Sequence, residues 1–143
     1  KQFLPILVSE LAGCIVGIVS VVVIARLMGA SREVVLSLAP KSVTTPIAME
    51  ITKAIGGIPS LTAAVVVCVG LLCAVAGYRT MGFAHVRTPM AQGLSMGTAA
   101  HALGTATSMD VSKLHGAYAS LGLTLNGIFT ALITPSIMPM MSI

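Results

Sequence analysis

The residues able to do chemistry fall in two short stretches. The first, TTPIAMEITKAIGG (44–57), puts Pro46, Glu50 and Lys53 within eight positions, directly after Lys41 and Ser42. The second, TATSMDVSKLHGA (105–117), holds Asp110 and Lys113 and follows His101 and Gly104. Thr44-Thr45-Pro46 reads as a helix start, because Thr caps helix N-termini and Pro suits the first helical position. Gly104-Thr105 is expected to play the same part in the second stretch. Helix N-termini offer unpaired N–H groups and a partial positive charge, which suit a carboxylate or a phosphate. Two such ends facing one another define a small anion site made of Lys41, Ser42, Thr44, Thr45, His101, Gly104 and Thr105. In it Lys41 supplies charge, and His101 acts as donor or proton carrier. The plainer alternative is that Thr, Ser and Gly let helices pack closely, that His101 is a hydrogen-bonded structural residue, and that Lys41 snorkels to an interface.

Glu50 and Lys53, and again Asp110 and Lys113, stand three apart and share a helix face. They read either as ion pairs anchoring an arm near the membrane surface or as coupling carboxylates with their partners. Glu10, inside the first apolar run, is a further candidate for coupling. His85 and His115 receive no role. No nucleophile stands beside a base, no metal-ligand spacing occurs, and no phosphate-binding glycine pattern is present. An enzyme, a cofactor and a metal are therefore not expected.

The elements that must position these residues are membrane helices. Of the 143 residues 56% are hydrophobic and 8% charged, against roughly a quarter charged in soluble domains. Mean hydropathy is +1.01. The formal charge of +4 fits basic residues in loops and points to no nucleic-acid partner. Three Phe, two Tyr and no Trp leave no aromatic belt. Cys14, Cys68 and Cys73 are scattered in apolar runs, without a CxxC spacing. The sequence opens on Lys1 without a signal-peptide pattern, so a fragment or a processed chain is expected.

About 20 apolar residues span a bilayer as a helix, and three runs qualify: Phe3–Leu27, 58–77 and 117–138. Arg26 closes the first and Tyr78-Arg79 the second. Between them lie two polar, interrupted segments, 31–56 and 88–116. Pro40 and Pro46 bracket the break in one, and Gly, Thr and Ala around His101 form it in the other. Backbone without helical bonds is tolerated at membrane depth only inside protein or along a wet cavity. Paired interrupted segments are the best sequence pointer to a transporter's site.

The two segments align at an offset of 60: Thr45 with Thr105, Met49 with Met109, Glu50 with Asp110, Lys53 with Lys113, Gly56 with Gly116, Ser60-Leu61 with Ser120-Leu121. The register predicts an internal repeat, 31–77 and 91–137, within a single membrane domain covering 1–143. If each interrupted segment is a re-entrant hairpin, each unit crosses an odd number of times. The copies are then inverted, as in elevator-type carriers. If each crosses as a broken helix, the copies are parallel and Arg26, Arg32, Arg79 and Arg87 share one side. The polarity of the arms favours hairpins. The fold class is thus an all-α polytopic membrane protein with three spanning helices, two interrupted segments and an inverted, elevator-like repeat.

PKSVTTPIAMEI, GGIPSLTA, GTAAHALGTA and GAYASLGLTLNGIFTALI together resemble the LrgB/CidB membrane family, over about 40–133. That family includes antiholin-like proteins, described as modulating murein hydrolase activity and lysis, and the plastidal glycolate/glycerate translocator; bacterial members have also been linked to pyruvate movement. The resemblance implies a carrier of small 2-hydroxy or 2-oxo carboxylates, often working with an LrgA/CidA-type partner. The expectation is a secondary transporter of small monocarboxylates, coupled to H+ or Na+, in a homo-oligomer or with that partner. The bacterial inner membrane is its expected place, before a plastid envelope. The alternative is a holin- or antiholin-like protein that modulates lysis.

Overall fold

The computed structural model describes residues 3–141. Six helices follow in order: α1 Phe3–Leu27, α2 Arg32–Leu38, α3 Thr45–Ile55, α4 Pro59–Phe83, α5 Pro89–Val111 and α6 Lys113–Met140. Of these α1, α4 and α6 are long and apolar enough to cross a membrane. The first span has the expected bounds. The second runs past Tyr78-Arg79, which do not close it, because no breaker follows until the turn at Ala84 and His85, the latter with φ 58°. The third starts earlier, at Lys113, where Ser112 in extended conformation accepts from His115 N and caps the helix. Pro135 and Pro139 are carried inside α6, as spanning helices permit when neighbours meet the freed carbonyls.

α1 and α6 run parallel. Cys14 Sγ lies 3.3 Å from Thr130 Oγ1, and Arg26 Nη1 donates to Met141 O at 2.8 Å. α4 runs against them. Its start binds the end of α3, Thr52 Oγ1 to Thr62 Oγ1 at 2.9 Å, and its end packs Tyr78 edge-on to His115 at the start of α6.

Both interrupted segments turn back. Arg32 and Leu36 at the start of the first share a recess with Ala54, Ile55, Pro135, Met138 and Pro139, so its two ends lie together beside the C-terminal end of α6. Ser37 ties those ends: its Oγ accepts from Ile58 N at 2.7 Å and its carbonyl accepts from Thr62 Oγ1 at 2.9 Å. α3 ends at Gly56, whose φ of 84° is left-handed, and Gly57 N reaches back to Thr52 O. Glycine takes that conformation without a Cβ clash.

α5 is a helical hairpin. Only His101 inside it leaves helical geometry, with φ 44° and ψ −128°. A Cβ on Gly104 would strike the carbonyl of Met96, a residue about 12 Å away were the helix straight. At the open end His115 Nε2 meets Gln92 Oε1 at 3.0 Å and Gln92 Nε2 donates to Val86 O at 2.9 Å. This end lies at the N-terminal end of α6. The two hairpins therefore enter from opposite ends of α6. Arg26, Arg32 and Lys53 lie at one end; Arg79, Arg87 and Lys113 lie at the other. The arrangement that placed four arginines on one side does not hold, because each segment returns to the face it left.

Gly104→Ala should force the two arms of α5 apart. Overpacking of this kind costs about 1–3 kcal/mol, enough to lower the thermal midpoint in detergent by about 5 °C. Gly82→Ala, where an added Cβ meets nothing within 4 Å, should leave it unchanged or slightly raised.

Candidate functional site

The first tip meets the first arm of α5 beside the middle of α6. A cavity of about 160 Å³ opens there, lined by Lys41 and Ser42 from the first tip, Thr98 and Ala99 from the first arm of α5, Asn126 and Thr130 from α6, and the Gly13–Ile18 stretch of α1. An engineered cavity of about 150 Å³ accommodates benzene, so the space suits a molecule of a few heavy atoms. Lys41 is the one charged side chain in this lining, and its Nζ donates to Ser42 Oγ at 3.1 Å.

Asn126, 1% exposed, holds the walls together. Its amide nitrogen donates to Ser42 O at 2.7 Å and to Thr98 O at 3.1 Å. Both amide hydrogens are thus used on carbonyls, which only accept. Thr130 Oγ1 lies 3.4 Å from Asn126 Oδ1 and gives it a hydrogen, which leaves the Cys14 thiol to donate to Thr130. Each donor in this Cys14–Thr130–Asn126 network has an acceptor, and the amide cannot be reversed without setting a carbonyl against a carbonyl.

The residues expected to form one site are divided. Lys41 and Ser42 line the cavity. Thr44 stands in the extended position before α3, yet its hydroxyl makes no cap bond. It lines a separate shallow groove with Ile47, Leu123, Gly127 and Ile128. Thr45 opens α3 as the residue before Pro46 and is half-buried. His101 is buried at the second tip, where its Nε2 meets Val66 O at 3.0 Å. A carbonyl accepts only, so Nε2 carries the hydrogen. This bond offsets a positive φ that costs of order 1–3 kcal/mol in a residue other than glycine. Thr105 Oγ1 donates to His101 O at 3.0 Å, within its own arm. Gly104 is a packing position and not a helix start, because the break falls three residues earlier, at His101. The picture of two capped N-termini facing each other across one site gives way to one tip lining the cavity and the other clamped against α4.

Glu50, Lys53, Asp110 and Lys113 are all exposed, and among the described residues no salt bridge joins either acid to its lysine. Glu10 is different: 4% exposed, it reaches Thr98 Oγ1 at 2.5 Å. The residues that sequence reading passed over are Thr98, Asn126 and Thr130. A buried Asn in an apolar helix, at the centre of the LTLNGIFTALI run, is the signal that marked one of them.

Three spanning helices with two hairpins entering from opposite ends, and a polar cavity where they meet, define a polytopic integral membrane protein. The chain belongs to the LrgB-like family, whose sequence pattern matches residues 1–140. It is 34% identical over 139 residues to the antiholin-like protein LrgB of Bacillus mycoides, a match covering 97% of this chain and 60% of that protein. It is 37% identical over 135 residues to an uncharacterized protein of Haemophilus influenzae, covering 94% of this chain and 58% of the relative. Protein YxaC of Bacillus subtilis is 32% identical over 135 residues, with 94% and 59% covered. The chain thus spans about three-fifths of the length of these relatives. No solved structure matches it.

Replacing Asn126 by Leu keeps its volume but leaves the carbonyls of Ser42 and Thr98 without these donors. An unmet buried polar group costs about 1–3 kcal/mol, so the variant should unfold at clearly lower temperature in detergent. Asn126→Gln, which can still donate, should lose less.

Proposed function

We propose that this chain is the membrane core of an antiholin-like protein of the LrgB type, acting on lysis from the bacterial inner membrane. The observation that carries this reading is its likeness, over nearly its whole length, to relatives named antiholin-like protein LrgB. Expression in a bacterium undergoing autolysis should lower extracellular murein hydrolase activity and delay lysis, read by zymogram and culture turbidity. Unchanged activity and lysis would count against it.

A second reading concerns how the core works: as a secondary transporter of small monocarboxylates such as glycolate, glycerate or pyruvate. The observation favouring it is a cavity with Lys41 as its charged group, placed at the first backbone break and beside the arm that leads to the second. Irregular backbone at mid-helix depth belongs to transporter sites, and an ammonium beside hydroxyl and amide groups suits a carboxylate. The way the tips are held supports an inverted repeat. Lys41 and His101 stand 60 apart, and so do Val66 and Asn126. Val66, on α4, accepts from the second tip, while Asn126, on α6, donates to the first. Each tip is thus fastened by the equivalent position of the other unit's spanning helix. Two inverted units around one site suit alternating access and an elevator-like movement. Exposed apolar faces, such as Val67, Leu71, Leu72 and Val75 on α4, take lipid, a second copy or an LrgA/CidA-type partner.

In proteoliposomes the carrier reading predicts saturable uptake of glycolate or pyruvate, reduced about tenfold or more by Lys41→Met, the order of one lost charged contact. Unsaturable leakage of a trapped dye, unaffected by Lys41→Met, would favour a passive pore. With the native cysteines replaced, single cysteines at Ser31 and Ser112 should be labelled by an impermeant reagent from opposite sides. Labelling of both from one side would sink the inverted arrangement.

A further inference from the structure

Glu10 is buried on a spanning helix and shares a short hydrogen bond with the Thr98 hydroxyl. Thr98 Oγ1 lies 2.7 Å from Leu94 O and 2.5 Å from Glu10 Oε2. The Leu94 carbonyl can only accept, and a threonine hydroxyl has one hydrogen. The hydroxyl therefore serves one of the two oxygens at a time: turned to Glu10 it donates to a carboxylate, and turned to Leu94 O it leaves the short contact to a hydrogen from the neutral acid.

The surroundings agree. Glu10 is on the buried face of a spanning helix. It borders a groove of about 530 Å³ lined by Ser9, Ser95, Thr98 and apolar residues of α1 and α5. Gly13, Thr98 and Ala99 line both this groove and the cavity of Lys41, so Thr98 is part of the wall between them. The groups facing Glu10 are few. Cys14, on its own helix, is the titratable group that interacts with it. α5 presents the hydroxyls of Ser95 and Thr98, and α6 presents Thr130 behind Cys14. Lys41, across the wall, is the basic side chain in the two linings.

We propose that Glu10 is a proton-binding site whose proton is exchanged with water in the groove and is linked through Thr98 to the anion cavity. The step is simple. The Glu10 carboxyl loses its proton to water and becomes a carboxylate. The Thr98 hydroxyl then rotates, leaves Leu94 O and donates to Glu10. Thr98 has two hydrogen-bonded states, one for each charge state of the acid. Its backbone carbonyl is tied through Asn126 to Ser42, and Ser42 to Lys41. Binding an anion at Lys41 favours the neutral acid, because a second negative charge across this wall is repelled in a low-dielectric interior. By linkage the neutral acid favours anion binding to the same degree. Proton and anion therefore travel together.

The protonation half of the proposal stands alone, whereas the coupling half rests on the carrier reading above. Infrared difference spectra of the full protein in lipid, recorded across a pH jump around neutrality, test the first half. A protonated-carboxyl band that is lost in Glu10→Gln is expected; its absence from wild type overturns the proposal. Gln keeps an N–H donor toward Thr98, so the variant preserves the neutral geometry and should fold. Calorimetry with glycolate in buffers of different ionisation enthalpy tests the second half. Wild type should take up a proton on binding. Glu10→Gln should bind within about tenfold of wild-type affinity, the scale of a typical coupling, with no proton uptake. Proton uptake retained in Glu10→Gln overturns the coupling. The infrared band together with no glycolate binding in any form leaves the proton site standing and defeats the carrier reading instead.

Discussion

Asn126 sets two hydrogen bonds that the remainder of the fold depends on. Polar backbone at membrane depth costs several kcal/mol per unmet group, and the chain exposes such backbone deliberately at two breaks. The carbonyls of Ser42, at the tip of the first hairpin, and Thr98, three residues before the tip of the second, converge on one side-chain amide. An apolar residue there would leave both carbonyls bare. A charged one would itself need a partner. A neutral amide with two hydrogens, buried on α6, fits both requirements and locks two segments that enter from opposite ends of the same helix.

From that constraint the rest follows in order. The first tip meets the first arm of the second hairpin because Asn126 joins them, and a space remains between them because hydroxyl and glycine positions line much of it. Lys41 gives this space its sign. The second tip is fastened differently, by a histidine in a strained conformation donating to a carbonyl of α4. The hairpin bases are held by hydrogen bonds as well: Ser37 with Ile58 and Thr62 at one end of α6, Gln92 with His115 and Ser112 at the other. The breaks are thus fixed at tips and bases alike.

Much of this was legible in the sequence. Composition and run length located the three spanning helices, since bilayer thickness sets their length. Pro40, Pro46 and the Gly/Thr/Ala tract marked both interruptions, since proline removes a helical donor and glycine relaxes the backbone. The offset of 60, on which the proposed repeat rests, was carried by Glu50-Lys53 and Asp110-Lys113, conspicuous because the chain has only four acids. That same conspicuousness misdirected attention, for these four side chains lie exposed, away from the cavity. The threonines before Pro46 and after Gly104 suggested caps, but hydroxyls serve packing and intra-helix bonds equally well, as Thr105 does. Asn126 was marked only as a polar residue in an apolar helix; its partners Thr98 and Ser42 were not legible, because contacts made 28 and 84 positions apart in the chain leave no local spacing.

One amide joins the tip of the first hairpin to the first arm of the second. Solid-state NMR of the protein in lipid bilayers, with the Asn126 side-chain nitrogen and the backbone carbonyls of Ser42 and Thr98 isotopically labelled, measures it directly. The account predicts through-space contacts from Asn126 Nδ2 to both carbonyl carbons in one sample. A nitrogen that contacts neither carbonyl and exchanges freely with water would contradict it.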